Sequence, residues 1–321
     1  ERRFTSGGLF SNLDDQTATT SSDGFTPRVL VSYEVNDHLT LNAQASQGFR
    51  LGGVNDPLNL PLCSGGPGGP DALTYGNNPT FDDETLWNYE GGFKFQNGNM
   101  TLNAAAYYSD ITNLQVTADA GSCSSRVVFN ADAHTAGLEA EFAYTPMQGL
   151  ELSLAGSWVE AEFDETKTST LGAVLAGIRE GNRLPSVPEY TIAASAAYYF
   201  PLERWGSDLE GFVSATAQHI GSRYTQPADQ ENNPHVFVHG LPFGGAPGGA
   251  STTLDLELDP YTVVNLNAGV QNDNWGVTFF VNNAFDENAH LAFDRERGGR
   301  ARLAFHTNTP RTVGVTVRRA F

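Results

Sequence analysis

Glu139 and Glu141 stand two residues apart in Gly137-Leu138-Glu139-Ala140-Glu141, a spacing that puts both carboxylates on one face of a strand. Glycoside hydrolysis uses such a pair, one group as acid and the other as base or nucleophile. It also needs their environments to set the two pKa values apart, and nothing nearby in sequence raises either one selectively. Two solvated carboxylates on a polar face are the simpler reading. Asp255, Glu257 and Asp259 alternate in the same manner and could join backbone oxygens around Ca²⁺. A solvated acidic loop is the better reading of them. His235 and His239 could offer ring nitrogens to a transition metal, but no cysteine or helical spacing fixes them, so they read as exposed loop histidines. Gly65-Gly66-Pro67-Gly68-Gly69 and Gly244-Gly245-Ala246-Pro247-Gly248-Gly249 are not followed by Lys-Ser/Thr at a helix start, so the phosphate-loop reading fails. With no Gly-x-Ser-x-Gly elbow or Cys/His dyad, the sequence predicts no enzyme, no catalytic residue, no metal and no cofactor.

The bulk composition narrows the remaining classes. The 321 residues carry 37 acidic and 18 basic side chains, a formal charge of -19. Nucleic acid is an improbable partner for such a chain, because phosphate binding needs a basic stripe. No run of about 18 apolar residues occurs, so no transmembrane helix is predicted. Charged residues make up only 17%, and 34 glycines with 11% aromatics suit an all-β chain with many turns. Cys63 and Cys123 each lie in a Gly/Ser-rich segment. They suit one disulfide in an oxidising compartment, and they suit two unpaired thiols as well.

The elements that would carry these residues are strands. Val29, Val31, Tyr33 and Val35 alternate with polar residues, turn at Asn36-Asp37-His38, and are followed by alternating Leu39, Leu41, Ala43 and Ala45. The pattern repeats around Asn97-Gly98-Asn99, Pro146-Met147-Gln148-Gly149, the segment 201–208 and Asn272-Asp273-Asn274. Between these hairpins lie long Gly/Pro/Asn/Asp-rich connections at about 5–24, 52–80, 118–126, 163–182, 225–259 and 286–303. Several long loops on one side count against a compact soluble domain. Short turns alternating with long loops are what an outer-membrane barrel shows. About twelve strands are predicted, with Leu, Val, Ala, Phe, Tyr and Trp facing lipid. The other face carries Arg28, Glu34, Arg50, Glu90, Lys94, Glu139, Glu141 and Glu151 toward a hydrated interior. Aromatics near strand ends, such as Tyr89, Tyr108, Trp158 and Trp275, sit where interfacial girdles belong.

Several phrases resemble the C-terminal part of a TonB-dependent outer-membrane receptor. Ser46-Gln47-Gly48-Phe49-Arg50-Leu51-Gly52-Gly53 is similar to that family's Ser-x-Gly-Phe/Tyr-Lys/Arg-x-Gly-Gly segment, and Tyr89-Glu90-Gly91-Gly92-Phe93-Lys94 to its Tyr-Glu-x-Gly-x-Lys strand. Gly137 to Glu141 resembles Gly-x-Glu-x-Glu, and Pro185-Ser186-Val187-Pro188 resembles a Pro-x-x-Pro strand entry. Val281-Asn282-Asn283-Ala284-Phe285-Asp286 and Pro310-Arg311-Thr312-Val313-Gly314 resemble the run into the terminal strand. The resemblance implies a transmembrane antiparallel β-barrel in which residues 1–321 are the C-terminal half of 22 strands, open if taken alone. It implies a plug domain and TonB box upstream. Glu1-Arg2-Arg3-Phe4 reads as mid-strand, as expected of a fragment. Arg319 departs from the family pattern, standing where an outward apolar residue is usual; at the interface its guanidinium can snorkel to headgroups.

The expected function is therefore energised import, through TonB, of a scarce extracellular solute such as a ferric siderophore across a Gram-negative outer membrane. Expected partners are outer-membrane lipid, the TonB complex acting through the plug, and the barrel-assembly machinery, for which Phe321 is the predicted signal. Solute contacts are expected from upward loops and strand tops, with Arg50, Tyr75, Trp87, Tyr224, His235, Phe243 and Arg295 as candidates. A passive porin-like channel and a soluble β-rich binding or adhesion module are the alternatives.

Overall fold

A computed structural model of the chain describes residues 2–4, 16–76, 78–123, 125–169, 171–204, 208–238, 249–296 and 302–320. Its main element is one antiparallel sheet of eleven strands, each paired with its neighbours in sequence. In chain order these are β1 (Arg28–Asn36), β2 (Leu39–Arg50), β3 (Glu84–Asn97), β4 (Met100–Asp119), β5 (Arg126–Met147) and β6 (Leu150–Phe163), then β7 (Tyr190–Pro201), β8 (Glu210–Ile220), β9 (Tyr261–Gln271), β10 (Trp275–Asn282) and β11 (Thr312–Arg319). Among the described residues β1 and β11 each have one partner strand, and the sheet is an unclosed partial barrel. About twelve strands were expected; the N-terminal segment Arg2–Phe4 pairs with Gln16–Ala18 in a separate two-stranded sheet. Phe321 lies outside the described residues.

The alternation dictates the two surfaces. Reading across the register from Val31, one row runs through Ala43, Gly91, Ala106, Leu138, Trp158 and Tyr190. A parallel row runs from Ala215 through Leu266 and Val281 to Val313. Val29, Val31, Leu138, Leu154, Phe279, Val315 and Val317 on this outer face are all exposed, Val317 to 72%. An apolar surface of this extent is an interaction surface rather than a solvated one, and it matches the lipid-facing band of a barrel. Arg319 falls in the same outer row, opposite Trp275 at the short-turn end.

The inner face is small and polar. Arg28 Nη2 donates to Gln44 Oε1 at 2.8 Å, and Gln44 Nε2 donates to Glu90 Oε2 at 2.9 Å, so three strands share one chain of hydrogen bonds. Ser153 and Ser195 hydroxyls meet at 2.7 Å, and Gln271 Nε2 donates to Glu210 Oε1 at 3.0 Å. Glu139 and Glu141 lie on this wall, opposite Ser157 and Ala155 of β6.

One expectation fails at 118–126. No long connection lies there: β4 and β5 run for 20 and 22 residues and are joined across 120–125. At roughly 3.3 Å per residue β5 spans about 70 Å, far more than the ~9–11 residues that cross a membrane. A bulge interrupts the ladder between the two halves of the pair. Ile111 pairs with Ala133 and Leu114 with Ala131, so two residues of β4, Thr112 and Asn113, stand against Asp132 alone. Asn113 takes a φ of 57°, and its N–H donates to Asp132 Oδ1 at 2.9 Å. The extra residue breaks the period-2 pattern by one step. Above it the inner face of both strands turns apolar, with Ile111, Val116, Ala118, Val127, Phe129, Ala131 and Ala133 buried.

That apolar patch is covered by the connection 51–83, one of the long Gly/Pro/Asn/Asp-rich connections expected from sequence, which carries regular turns and a helix of its own. It holds two 3-10 turns, Leu60–Leu62 and Gly66–Gly68, and the helix α1 (Pro70–Tyr75). Gly69 is required there, since a Cβ would lie 1.9 Å from Ser64 O. Leu58, Cys63 and Ala72 pack on the strand patch, and Phe163 at the end of β6 closes the same core with Leu175, Ile178 and Leu184 of the connection 164–189. Burying side chains such as Phe163 or Ile178 contributes about 1.5–3 kcal/mol each. Cys63 and Cys123 form a disulfide. Asn55 pairs with Val128 as a strand would: its Nδ2 donates to Val128 O and its Oδ1 accepts from Val128 N, both at 2.8 Å. Asp71 accepts from the Ser122 N–H at 2.8 Å and from the Ser122 hydroxyl. The result is a cap built onto the long-connection end of the sheet.

Candidate functional site

The cap contains a cavity of about 220 Å³ where five separate segments meet, one of them the connection 164–189 at Ala176. Tyr75 enters from the end of α1, Thr117 and Asp119 from the upper end of β4, Gln226 and His235 from the connection 221–260, and Arg295 from the strand His290–Glu296. Phe237, on the strand His235–Val238 that pairs with Ser251–Leu254, supplies an apolar wall. It packs with Leu256 and Phe293 in a second buried cluster. Gly177 permits the close approach of the connection 164–189 to this wall, having a φ of +77° and leaving a Cβ only 2.2 Å from Ala228 N.

A relay of polar groups fixes the wall. Arg295 Nη1 lies 2.8 Å from Asp229 Oδ1, an ion-pair contact whose angle misses hydrogen-bond alignment. Asp229 Oδ2 accepts the Gln226 N–H at 2.9 Å. Arg295 Nη2 donates to Gln226 Oε1 at 2.6 Å, Gln226 Nε2 donates to Asp119 Oδ2 at 3.1 Å, and Asp119 Oδ1 lies 3.6 Å from Arg126 Nε. Arg295 and Asp119 are thus each matched by an opposite charge. Burial pushes the Asp229 carboxyl above its ordinary range, with Arg295 opposing that shift. Burial, with Asp71 nearby, also raises the Tyr75 hydroxyl, which stays neutral at pH 7. His235 Nε2 is buried with no hydrogen-bond partner among the described residues.

The seven candidate contacts divide. Tyr75, His235 and Arg295, the first and last of them 220 residues apart in sequence, line this one cavity. Arg50 lies outside it, paired with Glu84 and 3.3 Å from Gln115 O at the top of β2. Tyr224 also lies outside: its hydroxyl donates to Glu257 at 3.4 Å, and the Arg183 guanidinium sits 5.9 Å over its ring. Trp87 belongs to the outer, lipid-type row and stacks with Tyr89 at 6.1 Å, so it faces away from the interior. Phe243 and His239 lie outside the described residues. Asp255 accepts from Asn233 Nδ2 at 2.6 Å while Glu257 engages Tyr224, so the alternating acids do not converge. Among the described residues no group of three or more His, Cys, Asp or Glu is placed to hold a metal ion.

Sequence reading missed Gln226, Asp229, Phe237 and Asp119. The one local signal was Gln226-Pro227-Ala228-Asp229, a polar residue and an acid three apart around a proline, which is the pattern of a capped helical turn.

The eleven-strand sheet with an apolar outside, a polar inside and a cap at one end defines an outer-membrane receptor barrel. The chain belongs to the family described as TonB dependent receptor-like, beta-barrel, which it matches over residues 2–284. This is an outer-membrane family of Gram-negative bacteria whose members are transport receptors rather than enzymes. The chain is 24% identical over 315 residues to the pesticin receptor of Yersinia pestis, covering 97% of the chain and 38% of that protein. It therefore spans well under half the length of the curated relatives it matches. Among solved structures, the ferric yersiniabactin uptake receptor FyuA of Yersinia pestis superposes with a TM-score of 0.65 at 19% identity, over 92% of this chain and 37% of that one. The siderophore receptor PiuA of Acinetobacter baumannii gives 0.57 at 15% identity, over 94% and 37%. The copper transporter OprC gives 0.61 at 14%, over 92% and 39%. These likenesses carry the fold.

Proposed function

We propose that the chain is the C-terminal barrel half of an outer-membrane import receptor that captures a scarce extracellular solute, such as a ferric siderophore. In this reading β1 and β11 pair with further strands to close a barrel of 22, and a plug fills its interior. TonB supplies the energy that releases the solute inward. The observation that supports it most is the folded cap: a ligand-sized cavity with a fixed polar wall, held above a polar barrel interior. A pore for general diffusion has no need of such a cap. Tyr75, His235 and Arg295 are proposed as solute contacts from the cavity, with Arg50, Tyr224 and Phe243 as contributors from neighbouring strand tops and loops. Siderophore receptors and a copper transporter among the structural relatives favour a metal or metal-complex solute over a nutrient at large.

The test is uptake of a radiolabelled ferric siderophore by cells carrying the complete gene, in strains with and without TonB. Uptake that requires both the gene and TonB is expected. Uptake that persists without TonB would replace this reading with a passive channel. Recovery of the full-length protein in soluble form without detergent would replace it with a soluble binding module.

A further inference from the structure

The cap cavity has a specific size and polarity. An apolar cavity of about 150 Å³ admits a single benzene ring, whereas drug-sized ligands occupy about 300–1,000 Å³. At about 220 Å³ the cap cavity fits one ring with a small substituent. Its walls at Tyr75, Ala118, Ala176, Pro227 and Phe237 are apolar or aromatic. Its charges are already matched, Arg295 by Asp229 and Asp119 by Arg126. A charged guest would have to surrender hydration with no free counter-charge to meet it. His235 is left over: its Nε2 is buried and has no hydrogen-bond partner among the described residues. An unmade buried hydrogen bond is costly, so this nitrogen favours a guest that supplies a partner.

We propose that the cap cavity is a binding site for one neutral, ring-sized group bearing a hydroxyl, which stacks between Tyr75 and Phe237 and hydrogen-bonds His235 Nε2. The group is a small free molecule or one arm of a larger solute. The inference rests on the cap being the solute-facing end of the receptor.

The site can be tested by disulfide capture in the full-length receptor. Ala228→Cys puts a thiol on the cavity wall, while Cys63 and Cys123 are bonded to each other. Three disulfide reagents ending in phenol, phenyl and benzoate groups are equilibrated with it under mild thiol, and conjugation is read by intact mass. The phenol reagent is expected to conjugate about tenfold better than the benzoate one. His235→Leu is expected to abolish the advantage of phenol over phenyl. Equal conjugation by all three reagents, or a preference for benzoate, overturns the proposal. So does a phenol advantage that survives His235→Leu. If Ala228→Cys fails to give a folded barrel, Thr117→Cys, exposed on the opposite wall, takes its place. A receptor that imports its solute but shows no ring preference sinks the cavity assignment alone; one that captures phenol but imports nothing sinks the transport reading alone.

Discussion

Asp229 and Arg295 join two distant connections of the cap through one contact of 2.8 Å, with the carboxylate side chain wholly buried and the guanidinium about one-tenth exposed. The pair fixes where the connection 221–260 sits against the strand His290–Glu296, and so fixes one wall of the cavity. Its worth lies in placement. Two buried charges cost desolvation, and their attraction repays it only in part.

Breaking that pair from one side is expected to be severe. Arg295→Met leaves a buried, unpaired carboxylate, which costs about 3–5 kcal/mol in comparable sites. Asp229→Leu combined with Arg295→Met replaces both charges by apolar groups and is expected to recover most of the loss. Hydrogen exchange of residues 225–238 reads this directly: protection falls in the single variant and returns in the double. Equal loss in both would show that packing, not charge, holds the wall.

Glu231, two residues on, responds to pH in the opposite sense to Asp229. Hydrogen bonds from Arg179, at 2.8 and 2.7 Å, and from Asn182 hold the Glu231 carboxyl below its ordinary value of 4.5. A lowered folded-state pKa means stability that is present above pH about 4.5 and lost as pH falls through the folded value. Burial raises Asp229, so its contribution is full below pH about 3.8 and is lost as pH rises through its folded pKa. Mild acid should therefore loosen the connection 164–189 at Arg179 while sparing the Asp229 wall. Both partners are partly solvated, so the effect is strongly screened. Protease cleavage within residues 164–182 should increase below pH 4.5 in the native chain, and Glu231→Gln should cleave at the acid rate at every pH.

The disulfide holds the cap rather than the sheet. Cys63 and Cys123 are 60 residues apart, and a cross-link of that span contributes up to about 4 kcal/mol in a chain-entropy account. Cys63→Ser with Cys123→Ser should expose residues 55–76 to hydrogen exchange. The eleven-strand sheet should keep its heat-resistant migration on gels. Loss of the sheet itself would mean that the cap core is needed for barrel folding.

The two faces make unequal demands. Leu154 lies in the outer row between Phe142 and Ala194, and Ser153 beside it faces inward against Ser195. Leu154→Arg should destabilise the membrane-inserted barrel by about 2–4 kcal/mol, and Ser153→Arg by far less. Folding midpoints in lipid vesicles would separate them, and a reversed order would invert the assignment of faces.

Why the hairpins were legible and the cap was not follows from the same alternation. Within β1 to β3, and again within β7 to β10, each side chain's face is set by parity and each tight turn carries Asn, Asp or Gly, so periodicity recovers the strands. Parity also places Trp87 beside Tyr89 on the outside; it was chosen as a contact for its residue type, and the alternation argued otherwise. The cap has no period. Tyr75, His235 and Arg295 were reached through loop position and chemistry, but their meeting depends on long-range pairing that no local pattern records. Asp229 and Gln226 matter only because Arg295 arrives from over 60 residues away. The upper halves of β4 and β5 were lost for a narrower reason: one extra residue shifts the parity, and a period-2 reading stops there.

That residue gives the most direct test of how the cap is attached. Asn113 sits at a φ of 57°, its N–H held by Asp132 and its carbonyl by Asn130 Nδ2 at 2.8 Å. Because it offsets the strand by one, Leu114, Val116 and Ala118 share the inner face with Ile111 despite their even numbers. Deleting Asn113 alone removes the extra residue: Thr112 then opposes Asp132, Leu114 still meets Ala131, and the three side chains stay inward. Deleting Thr112 together with Asn113 shifts the parity by one step, which turns those three side chains outward and their polar neighbours into the core. The lower barrel keeps its register through Ile111 and Ala133 and should still fold in both variants. In the double deletion the cap should lose its floor, with protection vanishing from residues 55–76 and the phenol preference of the cavity disappearing with it. The single deletion and Asn113→Gly, which tolerates the positive φ, should preserve the cap. A double deletion that leaves the cap intact would show that the strands re-register above the membrane, and that the cap sets the register of these strands rather than the reverse.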